Sequence, residues 1–189
     1  MNVALRQRKR LTVSEFIELI RPLPDDERWE LLDGEAVLMS PQSERHQIIV
    51  MNLLRRCDRL ARRRGCVALP GLGMLNDEVD DYAPIPDVLI RCGPRLDGGY
   101  AKDPVLIAEV LSPSTMNNDR GRKLDFYKSI ASLHSLLIVY QDERRVEAWT
   151  RVGTDWRHAV SQGPSSSIDL PVFEATLSLA EIYEDVLLA

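Results

Sequence analysis

"PVLIAEVLSPS", residues 104–114, is the stretch whose reading decides the fold. Val105 to Leu111 is a continuous apolar run, except that Glu109 stands in its middle. Pro104 leads into the run and Ser112-Pro113 ends it. Such a run predicts a strand covered on both faces. An ionised carboxylate buried there costs several kcal/mol, on the order of the desolvation penalty per ion. A cation, a metal or a pKa shift has to offset that cost. A buried ion pair with an arginine is the ordinary resolution, and a functional site is the other.

A second carboxylate favours the functional reading. "APIPDVLI", residues 83–90, puts Asp87 at the start of another apolar strand, 22 residues before Glu109. That separation accommodates a strand, a loop and the return to a neighbouring strand. Acids on adjacent strands can meet across the ladder and share an oxygen-ligated Mg²⁺. Lys123 shares a helix face with Phe126, Tyr127 and Ile130, shortly after the Glu109 strand. Taken singly it is a lysine that snorkels from an apolar face. Near the two acids, its ammonium could orient a water and stabilise charge on a phosphate. Glu35 opens a strand after an Asp-Gly turn, where a surface role is the default. His46 falls in the first turn of a helix, on its inward face, where a hydrogen-bonded core residue is the commoner outcome.

Length and composition bound these readings. The chain has 189 residues, 44% hydrophobic and 28% charged, as expected of a single globular domain over 1–189 with residues 1–11 as a flexible N-terminus. No apolar run approaches the roughly 18 residues of a membrane span, and the start of the chain lacks a signal-peptide core, so a cytoplasmic protein is expected. Cys57, Cys66 and Cys92 are odd in number and lack C-x-x-C spacing. They predict reduced thiols rather than a disulfide framework or a zinc site. The net charge of −5 argues against a protein that coats nucleic acid. The basic clusters at 6–10 ("RQRKR") and 55–64 ("RRCDRLARRR") can still bind phosphates locally. A solvated helix face and a frayed terminus explain them equally well.

Thr12 and Glu15 are spaced as a capping box for a helix through Ile20. "WELLDGEAVLM" reads as a hairpin turning at Asp33-Gly34. A long helix follows over about 42–64, with Gly65 after it. Strands are expected at about 66–69, 72–75, 85–90 and around Glu109, with residues 91–103 as a loop. Asn117 or Asn118 can cap a helix to about Ala131. "SLLIVYQDERRVEAWT" reads as a second hairpin at Asp142-Glu143, 156–161 as an edge strand, and 178–188 as a closing helix. The order predicts an α/β domain with a mixed sheet.

Four of these segments together resemble a known family. "WELLDGEAVLMSPQSERH", "IPDVLI", "LIAEVLSPST" and "NDRGRKLDFYKSI" follow, in order, motifs of the Uma family of endonucleases, within the PD-(D/E)xK, restriction-endonuclease-like superfamily. The resemblance covers about residues 12–188. It implies a restriction-endonuclease-like core, a central mixed β-sheet flanked by α-helices. It also implies that Asp87, Glu109 and the carbonyl of Val110 bind Mg²⁺, for which Mn²⁺ can substitute. Glu35 matches the family's Gly-Glu acid and would complete the acidic cluster, and His46 matches its helical histidine. The superfamily's lysine position is here Leu111, and Lys123 matches a lysine moved onto the following helix.

The expectation is thus metal-dependent hydrolysis of phosphodiester bonds, in DNA, by a homodimer without a small organic cofactor. The first rival is a nuclease fold that binds nucleic acid or protein without cutting; a metal titration that fails to depend on Asp87 and Glu109 would favour it. A two-carboxylate glycosidase needs an aromatic-lined sugar cleft. Aromatics make up 6% of the chain, and only Tyr82 and Tyr100 fall near the motifs.

Overall fold

The computed structural model describes residues 10–24, 26–111 and 120–188. The N-terminal segment up to residue 9 and the expected caps Asn117 and Asn118 lie outside the described residues. The chain divides into two compact units.

The first unit comprises the chain up to Ser40 together with Leu75–Pro84. Helix α1 (Val13–Ile20) opens on a capping box. The Glu15 N–H donates to the Thr12 hydroxyl at 3.2 Å, and the Glu15 carboxylate accepts the Thr12 N–H at 3.0 Å. Strands β1 (Trp29–Leu32) and β2 (Glu35–Leu38) pair antiparallel. Their turn needs two left-handed residues, and Asp33 and Gly34 supply them at φ 49° and 78°. Leu31 bridges to Ala83 in the returning segment, and both are buried.

The second unit comprises Pro41–Met74 and Ile85–Ala189. Helix α2 (Glu44–Arg62) leads to β3 (Val67–Pro70), β4 (Gly73–Met74), β5 (Val88–Arg91), β6 (Tyr100–Ala101) and β7 (Pro104–Leu111). Then come α3 (Arg120–Ser129), β8 (Ser135–Tyr140), β9 (Arg145–Val152), β10 (Asp155–Gln162), β11 (Ser167–Leu170), a 3-10 turn (Pro171–Phe173), β12 (Ala175–Ser178) and α4 (Leu179–Ile182). Six strands form one sheet in the order β10-β9-β8-β7-β5-β3. Only β7 and β8 run parallel within it. A parallel pair needs a crossover connection, and the α3 segment is that crossover.

Alternation along the strands sorts the two faces. Val88 and Ile90, Leu106, Ala108 and Val110, Leu137 and Val139, and Val146 and Ala148 form one apolar surface. Against it pack Ile49, Val50, Leu53, Cys57 and Ala61 of α2, at helical spacing. Glu109 lies between Ala108 and Val110 and therefore projects to the other face, where Phe126 and Tyr127 of α3 and Ile130 just after it are buried. Gly65 turns the chain out of α2 at φ 67°. No helix among the described residues is long and apolar enough to cross a membrane.

Two expectations are corrected. The closing helix over 178–188 shrinks to the four residues of α4, and a hairpin, β11 with β12, precedes it. Asn52 of α2 explains the early stop. Its amide donates to the carbonyls of Ile182 at 3.1 Å and Glu184 at 2.8 Å, and Asp185 turns left-handed at φ 60°. The expectation of three reduced thiols fails as well, because Cys66 and Cys92 form a disulfide. The β3–β5 register pairs Val67 with Arg91, so the next residues outward face each other with Cα atoms 4.1 Å apart. A separation of 26 residues carries no spacing signal for this pairing. Cys57 is the one free cysteine, and burial pushes its thiol up to about 12.

Thiol titration checks this assignment. Folded protein without reductant should show no readily alkylated cysteine, unfolded protein one, and unfolded reduced protein three. Three thiols before reduction would remove the disulfide.

Candidate active site

The β5–β7 ladder builds the centre of the site. Its register pairs Val88 with Ala108 and Leu89 with Ile107. Strand β5 starts at Val88, so Asp87 stands just ahead of it, beside the end of β7 that carries Glu109 and Val110. The Val110 N–H donates to this side chain, to Asp87 Oδ2 at 2.7 Å. Pro86, the residue before, has no N–H with which to extend the ladder. The sequence Pro-Asp thus ends the ladder and puts a carboxylate at its end.

The other oxygen of Asp87, Oδ1, lies 3.0 Å from Nε2 of His46. His46 is buried at the third position of α2, where its N–H donates to the cap residue Ser43. The Ser43 hydroxyl in turn donates to Gln141, just past β8, at 3.2 Å. The N-terminal turn of α2 adds a positive end dipole near the Asp87 carboxylate. His46 Nδ1 is buried with no hydrogen-bond partner among the described residues.

Glu109 is buried on the α3 side of the sheet. The Tyr127 hydroxyl donates to its Oε1 at 2.6 Å. The Lys123 ammonium lies 3.8 Å from the same oxygen, with a side chain only 19% exposed. Positions 123 and 127 are one helical turn apart, so both side chains descend on one point of β7. The lysine and the tyrosine both offset the carboxylate. Tyr127 was read in the sequence only as an apolar neighbour of Lys123. The four-residue spacing from Lys123 is the signal that could have identified it.

Asp87, Val110 and His46 are thus linked in one group, and Glu109 and Lys123 in another. Glu35 is an exposed residue at the head of β2, in the first unit. No three His, Cys, Asp or Glu side chains among the described residues gather as a metal cage. An all-oxygen set of two carboxylates and a carbonyl nevertheless fits Mg²⁺, which takes one or two carboxylates and completes its shell with water and substrate phosphate.

The arginine cluster of 55–64 is engaged elsewhere. Arg56 pairs with Glu181 at 2.8 Å and Glu184 at 3.6 Å, Arg62 with Asp58 at 2.7 Å, and Arg64 with Glu174 at 2.7 Å. The cluster also begins nine residues beyond His46, roughly 14 Å along the helix. Half of these arginines therefore tie α2 to its own side chains and to the C-terminal elements.

Comparison with known proteins bears on this arrangement. A family model described as Uma2, "Putative restriction endonuclease", matches residues 13–181. The chain is 28% identical over 167 residues to "Uncharacterized protein sll1609" of Synechocystis sp. (strain PCC 6803), covering 85% of this chain and 93% of that one. It is 31% identical over 116 residues to "Uncharacterized protein slr1290" of the same organism, covering 60% of each. A crystal structure from Anabaena variabilis, described as a putative nuclease belonging to DUF820, shares the fold with a TM-score of 0.73 at 17% identity. That match covers 94% of this chain and 99% of that one.

A double-mutant cycle tests the Glu109 cluster. Tyr127→Phe should lower folding stability by about 2 kcal/mol, the usual worth of a hydrogen bond to a charged group. Combined with Glu109→Gln it should show a coupling of at least about 1 kcal/mol in urea denaturation. Additive effects would remove the Tyr127–Glu109 bond as a stabilising contact.

Proposed function

The chain belongs to the Uma2 family of restriction-endonuclease relatives, and from that premise we propose that it is a magnesium-dependent endonuclease that hydrolyses phosphodiester bonds in DNA. The observation that carries the reading is the approach of Lys123 to Glu109, 3.8 Å across from α3 to β7. The superfamily pattern wants a lysine two residues after the strand acid, and that position is Leu111 here. Lys123 supplies the amine from the helix instead.

In this reading Asp87, Glu109 and the Val110 carbonyl would hold Mg²⁺. When bound, the ion supplies Lewis-acid polarisation of the phosphate and a lowered pKa for a coordinated water. Lys123 positions the attacking water and offsets negative charge that grows on the phosphate oxygens. The water oxygen would bond to phosphorus as the bond to the opposite leaving oxygen breaks, the water giving a proton to solvent and the leaving oxygen taking one up. Tyr127 and the Val110 N–H occupy one oxygen of Glu109 and of Asp87, which fixes the carboxylate rotamers. His46 holds Asp87 from the α2 side. These contacts reduce the reorganisation needed when substrate arrives. Two copies of the chain would bring one site each, cutting one strand apiece.

Incubation of the pure protein with supercoiled plasmid, single-stranded DNA and RNA tests the reading. Cleavage is expected with Mg²⁺ or Mn²⁺ and not in EDTA. Asp87→Asn, Glu109→Gln and Lys123→Ala should each lower the rate by roughly 100-fold or more, the scale of losing one preorganised charge-stabilising group. Cleavage that persists unchanged in these variants comes from a contaminant and ends the assignment.

A further inference from the structure

We propose that the outer part of the sheet, β9 with β10, is a stacking platform for unpaired nucleobases; this rests on the nuclease reading and names the strand form its substrate presents. Register puts the platform on the face that carries Glu109. Glu109 pairs with Ile138 on β8, Ile138 with Glu147 on β9, and Glu147 with Val160 on β10. Residues alternating with these share the face, so Trp149, Arg151, Trp156 and His158 project to the same side as Glu109.

There the aromatic rings and the cations are layered. Trp149 stacks on His158 with centroids 4.5 Å apart and planes at 22°. The Lys128 ammonium lies 4.8 Å from the Trp149 ring centroid. Trp156 carries the Arg151 guanidinium at 4.4 Å. Arg151 is locked in place by donating to the carbonyls of Lys128, Ile130 and Leu133 at the end of α3. His158 is the outermost ring of its stack, 45% exposed, with Nε2 3.4 Å from Glu147. β10 is the edge of the sheet, so no strand covers it.

Trp156 and His158 are two residues apart, roughly 7 Å along the strand. Rings so placed, backed by cations in an acidic protein, fit successive bases of a single strand and its phosphates. A duplex keeps its base faces inside its own stack and gives such rings nothing to hold. The helix links platform and site, because α3 sends Lys123 and Tyr127 to Glu109 and Lys128 to Trp149. Three strand spacings and two residues separate Glu109 from His158, roughly 16 Å. That is about five nucleotides at the stacked rise of a DNA strand, and fewer if the strand is extended.

Tryptophan fluorescence reads the platform directly. The chain has three tryptophans, and Trp29→Phe leaves only Trp149 and Trp156. In EDTA, where no cleavage is expected, a twelve-nucleotide oligothymidine should bind and quench this signal. A matched duplex should bind more weakly and leave the signal unchanged. His158→Ser, at an exposed ring, and Trp156→Ala should each weaken single-strand binding roughly tenfold, with unchanged circular dichroism. Equal affinity for duplex and single strand without quenching, or binding indifferent to the His158 change, would overturn the platform. Loss of cleavage with quenching retained would instead overturn only the nuclease reading.

Discussion

A carboxylate in the middle of a fully covered strand is the constraint on which the second unit turns. Glu109 sits on β7, which has β5 on one side and β8 on the other, with no edge open to water. Its desolvation would cost several kcal/mol if nothing compensated it. The chain compensates from α3, with a hydroxyl at 2.6 Å and an ammonium at 3.8 Å on one oxygen. That arrangement forces α3 to lie over β7 at this level.

Asp87 obeys a different logic. It stands just ahead of β5, where the backbone ladder beside Val110 has ended. A buried N–H without a partner costs on the order of 1–3 kcal/mol. The Asp87 side chain removes that cost by accepting the bond itself. The same contact holds the carboxylate against the sheet, and His46 holds it from the other side. Local folding requirements and site geometry are thus met by one side chain. Substituting Asp87 therefore affects stability as well as chemistry, and asparagine, which keeps an acceptor, separates the two better than alanine does.

Much of this was legible in the sequence because it is local. The Thr12–Glu15 box, the Asp33-Gly34 turn and the alternation of buried strands depend on residues within one or two turns of each other. The adjacency of the Asp87 and Glu109 strands followed from apolar runs 22 residues apart, and the mixed sheet followed from element order. Long-range pairings were not legible. The Cys66–Cys92 bond depends on the β3–β5 register, which no local spacing announces. The early end of α4 depends on Asn52, 130 residues away in sequence from the carbonyl it caps. Lys123 and Glu35 were both candidates from their local context, and the family resemblance gave them their roles. The helix lysine meets its acid, whereas Glu35 is an exposed strand residue of the other unit.

The arginine cluster shows how charge is misread when only its density is seen. Six arginines within ten residues look like a phosphate grip. In the fold, three of them join α2 to Asp58, Glu174, Glu181 and Glu184. Exposed pairs of this kind contribute little each, and their main effect is to neutralise a helix end that would otherwise repel itself. Positive charge available to a substrate must therefore be sought where it is held by rings and carbonyls. Arg151 and Lys128 meet that condition. Each lies beside an aromatic face, and Arg151 is fixed by three carbonyls. A few immobilised cations on the face of Glu109 can orient a strand better than many mobile ones at the far end of α2, because ordering long side chains on binding costs entropy that preorganised groups have already lost.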